Sequence, residues 1–258
     1  MIKLERKRVY RLKVINRLSI SIIVVNSMTK KPINNAVISH NGKLGGYISK
    51  GEGYYIFNNL ESYVYNFKVE CQGFITESFE VDLKENDGVN HVCEMYYSVD
   101  SAKWLAINKP VALVTLDGKP LVNTPIKFIQ EDKVAALRVT RNIEKGSKFI
   151  ELNCDYDDGF LYQSYTYEDN ERELFINDYD VEKSSYVLEQ KTDEDLKLST
   201  LLKPLWNIST DENGMLVVPI SDFFVNSEEI TFTVKYKDFI KTISVKQAFT
   251  KDILSIDF

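Results

Sequence analysis

Histidine occurs only twice in the 258 residues, cysteine three times and proline six times. Each scarcity closes off a class of function. His40 and His91 have no cysteine or second histidine nearby in sequence, so zinc centres and histidine-based triads have almost no material. Both read as structural side chains, His40 beside a turn and His91 at the start of a strand. Cys71, Cys93 and Cys154 are odd in number and lack metal-ligand spacing, which fits reduced, buried thiols in a protein made in the cytoplasm. Were the protein exported, Cys71 and Cys93 would be the pair to test. No apolar stretch approaches the roughly 18 residues of a membrane-spanning helix. The basic start runs into a short, serine-interrupted apolar segment without a small-residue cleavage site, so no secretion signal is expected. There is no glycine-rich phosphate loop, no GxSxG elbow and no HExxH pair. The expectation is a chain that is not an enzyme and uses no catalytic residue, cofactor, metal or membrane contact.

Positive charge is also in deficit. The net charge of −6 argues against a nucleic-acid partner, but its distribution says more than its total. Residues 1–17 carry seven basic side chains against Glu5, a local balance of +6. Residues 151–195 carry fifteen acidic side chains against Arg172, Lys183 and Lys191, a local balance of −12. Such blocks are either two solvated faces or complementary surfaces that meet opposite charge in an assembly, even each other, head to tail.

What the chain has in quantity is strand-forming residues: 14 Phe, 15 Tyr, and Val, Ile and Thr throughout. It also has a repeated grammar. Thr29-Lys30-Lys31-Pro32 aligns with Asp117-Gly118-Lys119-Pro120, and Lys50-Gly51-Glu52-Gly53 with Asp211-Glu212-Asn213-Gly214. Each proline lacks a backbone donor and has φ preset, which suits the first residue of an edge strand after a turn. A bulge between Asn34 and Asn35 would keep Ile33, Ala36 and Ile38 on one face. Gly53 and Gly214 permit a positive φ where the chain turns back into alternating Tyr55/Phe57 and Leu216/Val218. Two copies predict two β-sandwich domains in series: a basic N-terminal arm over 1–17, a first sandwich over 18–98, a connector over 99–109 whose Trp104 makes an interdomain contact, and a second sandwich over 110–258.

Residues 18–97 resemble the transthyretin-like, carboxypeptidase-regulatory-like domain. The likeness rests on a T-x-x-P-I-x-x-A-x-V turn (Thr29, Pro32, Ile33, Ala36, Val37), a G-x-Y-x-F strand (Gly53, Tyr55, Phe57), Asn59-Leu60, and a Y-x-F-x-V-x-x-x-G-F close (Tyr65, Phe67, Val69, Gly73, Phe74). Lys31 stands where that family often has glycine. The resemblance implies a non-catalytic accessory sandwich and carries over no catalytic residue. The second half, with L-V-T-L-D-G-K-P-L-V-N-T-P-I-K-F, T-D-E-N-G-M-L-V-V-P-I and I-T-F-T-V-K-Y, is similar to bacterial immunoglobulin-like repeats of the invasin type. Its anchors lie far apart: 94 positions separate Pro120 from Gly214 where 21 separate Pro32 from Gly53. An insertion of roughly 70 residues, at about 133–203, is too long for a bare loop. It reads as short strands that extend the sheet or form a separate lobe, followed by a short helix capped by Thr192-Asp193-Glu194-Asp195 and closed by Pro204.

Two parts of the insertion could carry binding. Asn153 to Gly159 clusters carboxylates suited to calcium. As an EF-hand loop it puts Asp158 where glycine is needed and Ser164 where the bidentate glutamate belongs, so a solvated acidic turn is the better reading. Tyr162, Tyr165 and Tyr167, near Tyr156 and Tyr179, form either one buried face of a strand or an aromatic surface for sugar or protein.

The functional expectation follows. The chain reads as a non-catalytic structural or interaction protein, a part of a phage tail or phage-like contractile particle assembled in a bacterial cytoplasm and ending in a virion. Its partners would be other subunits or further copies of itself. The alternative is a carbohydrate-binding or adhesive module that touches an envelope glycan.

Overall fold

The computed structural model describes residues 17–61, 63–84, 89–100, 109–131, 137–154, 160–168, 171–220, 229–246 and 253–258. The basic arm up to residue 16, Trp104 in the connector and the acidic turn at 155–159 lie outside the described residues. The described residues are all-β apart from helical positions at Val99–Asp100 and Phe160.

Strand β1 (Leu18–Asn26) is buried along nearly its whole length, because both its faces are covered. Ile20, Ile22 and Val24 enter the first core, while Ile23 and Val25 face Leu161 and Tyr162 of the insertion across a crevice. The rest of the first sandwich is β2 (Val37–His40), β3 (Lys43–Leu44), β4 (Ile48–Gly51), β5 (Tyr54–Asn58), β6 (Val64–Glu70), β7 (Glu77–Asp82) and β8 (Val89–Met95). Its two sheets run β4-β5-β1-β8 and β3-β2-β6-β7. Alternation sets which side chains meet: β6 buries Tyr65, Phe67 and Val69 and exposes Asn66, Lys68 and Glu70, and Phe67 meets Phe57 of the facing sheet edge-on at 5.2 Å.

The second sandwich begins with β9 (Val111–Leu116), β10 (Lys119–Pro120) and β11 (Pro125–Gln130). The insertion follows with β12 (Leu137–Arg138), β13 (Phe149–Ile150), β14 (Gln163–Tyr167), β15 (Arg172–Asp180), β16 (Ser185–Leu188) and β17 (Leu201–Ser209). The chain then closes with β18 (Met215–Val217), β19 (Glu229–Tyr236), β20 (Phe239–Lys246) and β21 (Leu254–Asp257). One sheet joins β9 to β10, β18 and β21, and the other has nine strands, β13-β16-β15-β14-β17-β11-β19-β20 with β12 also on β17. The insertion therefore extends a sheet of the sandwich. Trp206 of β17 is among the largest fully buried side chains and packs edge-on to Phe232 of β19.

The two sandwiches repeat one plan at atomic detail. In the first, Val24 N donates to Gly53 O and Ile33 N to Val24 O; in the second, Val114 N donates to Gly214 O and Leu121 N to Val114 O, all at 2.9 Å. Each glycine presses on its proline: a Cβ on Gly53 would lie 3.1 Å from Pro32 Cβ and 2.5 Å from Val24 O, and one on Gly214 would lie 2.8 Å from Pro120 Cβ. Each sandwich also ends with a parallel pairing, β8 on β1 and β21 on β9. The Asp257 carboxylate ties down the last strand by accepting from Thr115 Oγ1 at 2.6 Å and Gly118 N at 3.1 Å.

Two expectations are corrected. Residues 192–200 form turns and an isolated bridge, not a helix. Their backbone is bonded across the chain: Thr192 N donates to Ser147 O, and Ile143 and Leu196 exchange both of their hydrogen bonds. Those partners replace the i to i−4 bonds a helix needs. Pro204 sits within β17, opposite Tyr165, and the ladder from β17 to β11 ends at Leu205, so the missing donor falls where pairing stops. Asn34 and Asn35 form a bend outside any ladder rather than a bulge, held by Asn34 Oδ1, which accepts from Gly53 N at 2.7 Å.

Candidate functional site

The most constrained polar group lies where the first sandwich meets the second. Lys30 adopts φ 55 at the position that aligns with Gly118, itself at φ 73. Lysine takes a backbone state there that costs a Cβ-bearing residue about 1–2 kcal/mol. Its side chain is only 2 % exposed and reaches Glu94 Oε1 at 2.7 Å, and Nζ also donates to the Tyr162 carbonyl of the insertion at 2.9 Å. The turn is preset by Asn26, whose Oδ1 accepts from Met28 N and Thr29 N and whose Nδ2 donates to Tyr97 Oη at 2.7 Å.

Glu94 is the hub of this junction. It faces Lys30 on one side and the buried Tyr96 hydroxyl on the other, and Tyr96 is also hydrogen-bonded to the backbone of Asn207 in β17. Tyr96 belongs to the core of the second sandwich, and Met28, Val99 and Val217 close an apolar cluster between the halves. The electrostatics follow from burial. Desolvation lowers the Lys30 ammonium while Glu94 raises it, and burial, then Glu94, pushes the Glu77 carboxyl up to about 7. Burial likewise raises Tyr96 and the Cys93 thiol, each with a further push from Glu94 and Glu77.

Beside this hub a crevice of about 550 Å³ opens between the sandwiches, lined by Glu77, Asp100, Asp211 and Glu212 among others. A second groove, of about 270 Å³, runs along the insertion between β15 and residues 188–193. Its walls include Glu173, Glu189, Lys191 and Asp193. Burial raises the Glu189 carboxyl, with Lys148 opposing. At its end Arg172 pairs with Glu168, Asp193 and Glu194 at 2.9–3.3 Å. Both grooves are shallow and polar. They suit docking by hydrogen bonds and charge.

The three tyrosines do not make a shared surface. Tyr165 and Tyr167 are 0 % and 4 % exposed, because alternate residues of β14 point into the second core. Tyr162, before β14, reaches the crevice beside β1 and packs against the second core, and Tyr167 reaches the separate groove along the insertion. The Tyr167 hydroxyl does touch Asp193 at 3.4 Å, and burial, with Asp193 and Glu194, lifts it to about 12. His40 packs edge-on to Phe57 and Tyr65, and His91 stacks on Phe79 at 3.7 Å, where burial pushes it down to about 4. The three cysteines are free, and no cluster of metal-ligating side chains occurs among the described residues. Sequence reasoning missed Lys30, Glu77, Glu94 and Tyr96. The one available signal was Lys30 standing where the second copy has glycine.

No family model matches the chain, and no curated protein matches it. Among solved structures, the Bacillus anthracis TIE protein aligns over 94 % of this chain with 11 % identity and a TM-score of 0.26. The chain spans 33 % of that protein's length.

Proposed function

We propose that the chain is a non-catalytic structural and docking protein, a stiff two-sandwich unit of a larger assembly. The observation that carries this reading is the junction. A buried lysine bonds its own sandwich through Glu94 and the neighbouring insertion through the Tyr162 carbonyl, and Tyr96 bridges the same two bodies. Sandwiches joined for independent motion do not need a buried lysine that bonds across the junction, since default interdomain contacts are polar and mobile. A rigid unit with an enlarged sheet transmits position, as a tail or baseplate component of a phage or contractile particle must. The test is to isolate such particles from the producing bacterium and identify their chains by mass spectrometry. Finding this protein at fixed stoichiometry supports the reading, and finding it only as a free chain refutes it.

A second reading is favoured by the groove beside β15, whose carboxylates and amide suit sugar hydroxyls. It makes the chain an envelope-glycan binder. Glycan-array binding lost in Glu189→Ala and Asp193→Ala, by a chain absent from particles, would support it over the first.

A further inference from the structure

Sheet edges invite pairing with other chains, and proteins guard them by shortness, bulges, proline or charge. Most edges of this molecule are guarded. Strands β3, β10 and β13 have two residues each, and β10 contains Pro120. Strand β4 is bulged between Ser49 and Gly51. Strand β8 is flanked by β7, whose Phe79 stacks on His91. The counterpart of β20 in the first sandwich is β7, last in the order β3-β2-β6-β7 as β20 is in β17-β11-β19-β20. It carries Glu77, Glu80 and Asp82 in six residues.

Strand β20 is different. It runs eight residues, FIKTISVK, with no register shift against β19. Phe239 and Ile240 are 45 % and 64 % exposed. Of its two lysines, Lys241 is folded back, donating to the Asp257 carbonyl of the opposite sheet at 2.7 Å. Tyr236 and Phe239 flank a two-residue loop as a direct pair, so in the alternation of an antiparallel ladder Phe239, Lys241, Ile243 and Val245 bond to β19. The backbone groups of Ile240, Thr242 and Ser244 point outward.

We propose that β20 pairs antiparallel with β20 of a second copy about a two-fold axis at Thr242, joining two nine-stranded sheets into one. The register is self-complementary. Thr242 faces Thr242, Ile240 faces Ser244, Phe239 faces Val245, and Lys246 faces Asp238 of the partner copy. All outward donors and acceptors in the overlap meet one another, and no like charges stand opposite. The proposal rests on the docking-protein reading and names one of its partners.

Sedimentation equilibrium and light scattering over a wide concentration range test it. The full chain should be a dimer. Thr242→Pro removes only an outward donor, and Ile240→Glu puts a charge on the edge; each should give a monomer with an unchanged circular dichroism spectrum. If the proline variant misfolds, the glutamate variant alone decides. Under mild oxidation, Thr242→Cys should crosslink two copies and Ser244→Cys should not, because a direct hydrogen-bonded pair holds its Cα atoms about 5.5 Å apart, within disulfide reach. A full chain that stays monomeric throughout overturns the proposal, as does a dimer that survives Ile240→Glu. A monomer that still copurifies with particle subunits overturns the strand pairing alone and leaves the scaffold reading intact.

Discussion

The two sandwiches share a frame and differ at three places, and each difference alters how the molecule meets its surroundings. At the turn before the proline, the second copy has Gly118 and the first has Lys30, which turns a solvent turn into a weld. Beside the second strand of the facing sheet, the first copy has the two-residue β3 and the second has the nine-residue β17. An edge thereby becomes the interior of a nine-stranded sheet that carries Trp206 into the core. At the far edge, acidic β7 corresponds to the weakly charged β20. The frame therefore supplies stability, and departures from it supply contacts.

The comparison breaks first at the weld. Glu94→Gln leaves the Lys30 charge buried against a neutral amide and should cost about 3–5 kcal/mol in urea unfolding. Lys30→Gly, which copies the second sandwich, should cost less, because it also removes the left-handed strain. The glycine anchors come next. Gly53→Ala meets a backbone carbonyl at 2.5 Å, whereas Gly214→Ala meets a proline side chain at 2.8 Å, and both positions have positive φ. We expect about 3 kcal/mol for the first and about 2 for the second, by the same measurement. Gly46→Ala, with only the His40 ring at 3.7 Å, isolates the cost of φ alone.

Glu77 gives a pH signature that β20 has no group to match. Its folded carboxyl titrates at about 7 against an ordinary 4.5, so the folded chain binds more protons than the unfolded one between those values. From this group, stability is highest below about pH 4.5, falls as pH rises to 7, and is flat above. Glu77→Gln should remove that fall and stabilise the protein at pH 8 by about 2–3 kcal/mol, seen as a raised Tm. The smallest effect is at Lys127, whose pair with Glu173 lies on the exposed face of the large sheet. Lys127→Ala should change stability by no more than about 0.5 kcal/mol.

Much of the fold could be read from residue order. The Pro32/Gly53 and Pro120/Gly214 anchors, and the alternation of Tyr65, Phe67 and Val69, rest on local steric rules and appear as expected. The helix between Thr192 and Pro204 was misread because capping residues describe only a local preference. The partners that claim that backbone, Ile143 and Ser147, are some fifty residues away in the chain. The tyrosines stayed open between a buried face and a binding surface for a related reason: alternation says that Tyr165 and Tyr167 share a face, not which face is covered. Nothing in the order of residues signals that Glu94 and Tyr162 meet at Lys30.

Composition and short-range pattern by themselves determined an all-β chain, a duplicated frame and the turns that hold it, since φ restrictions and a two-residue period act within a few bonds. Only the tertiary structure decided that the insertion would widen a sheet, that a lysine would be buried between the sandwiches and that β20 would be left at an edge. Those outcomes depend on burial and pairing between segments far apart in the chain, where desolvation and long-range hydrogen bonds outweigh local preference.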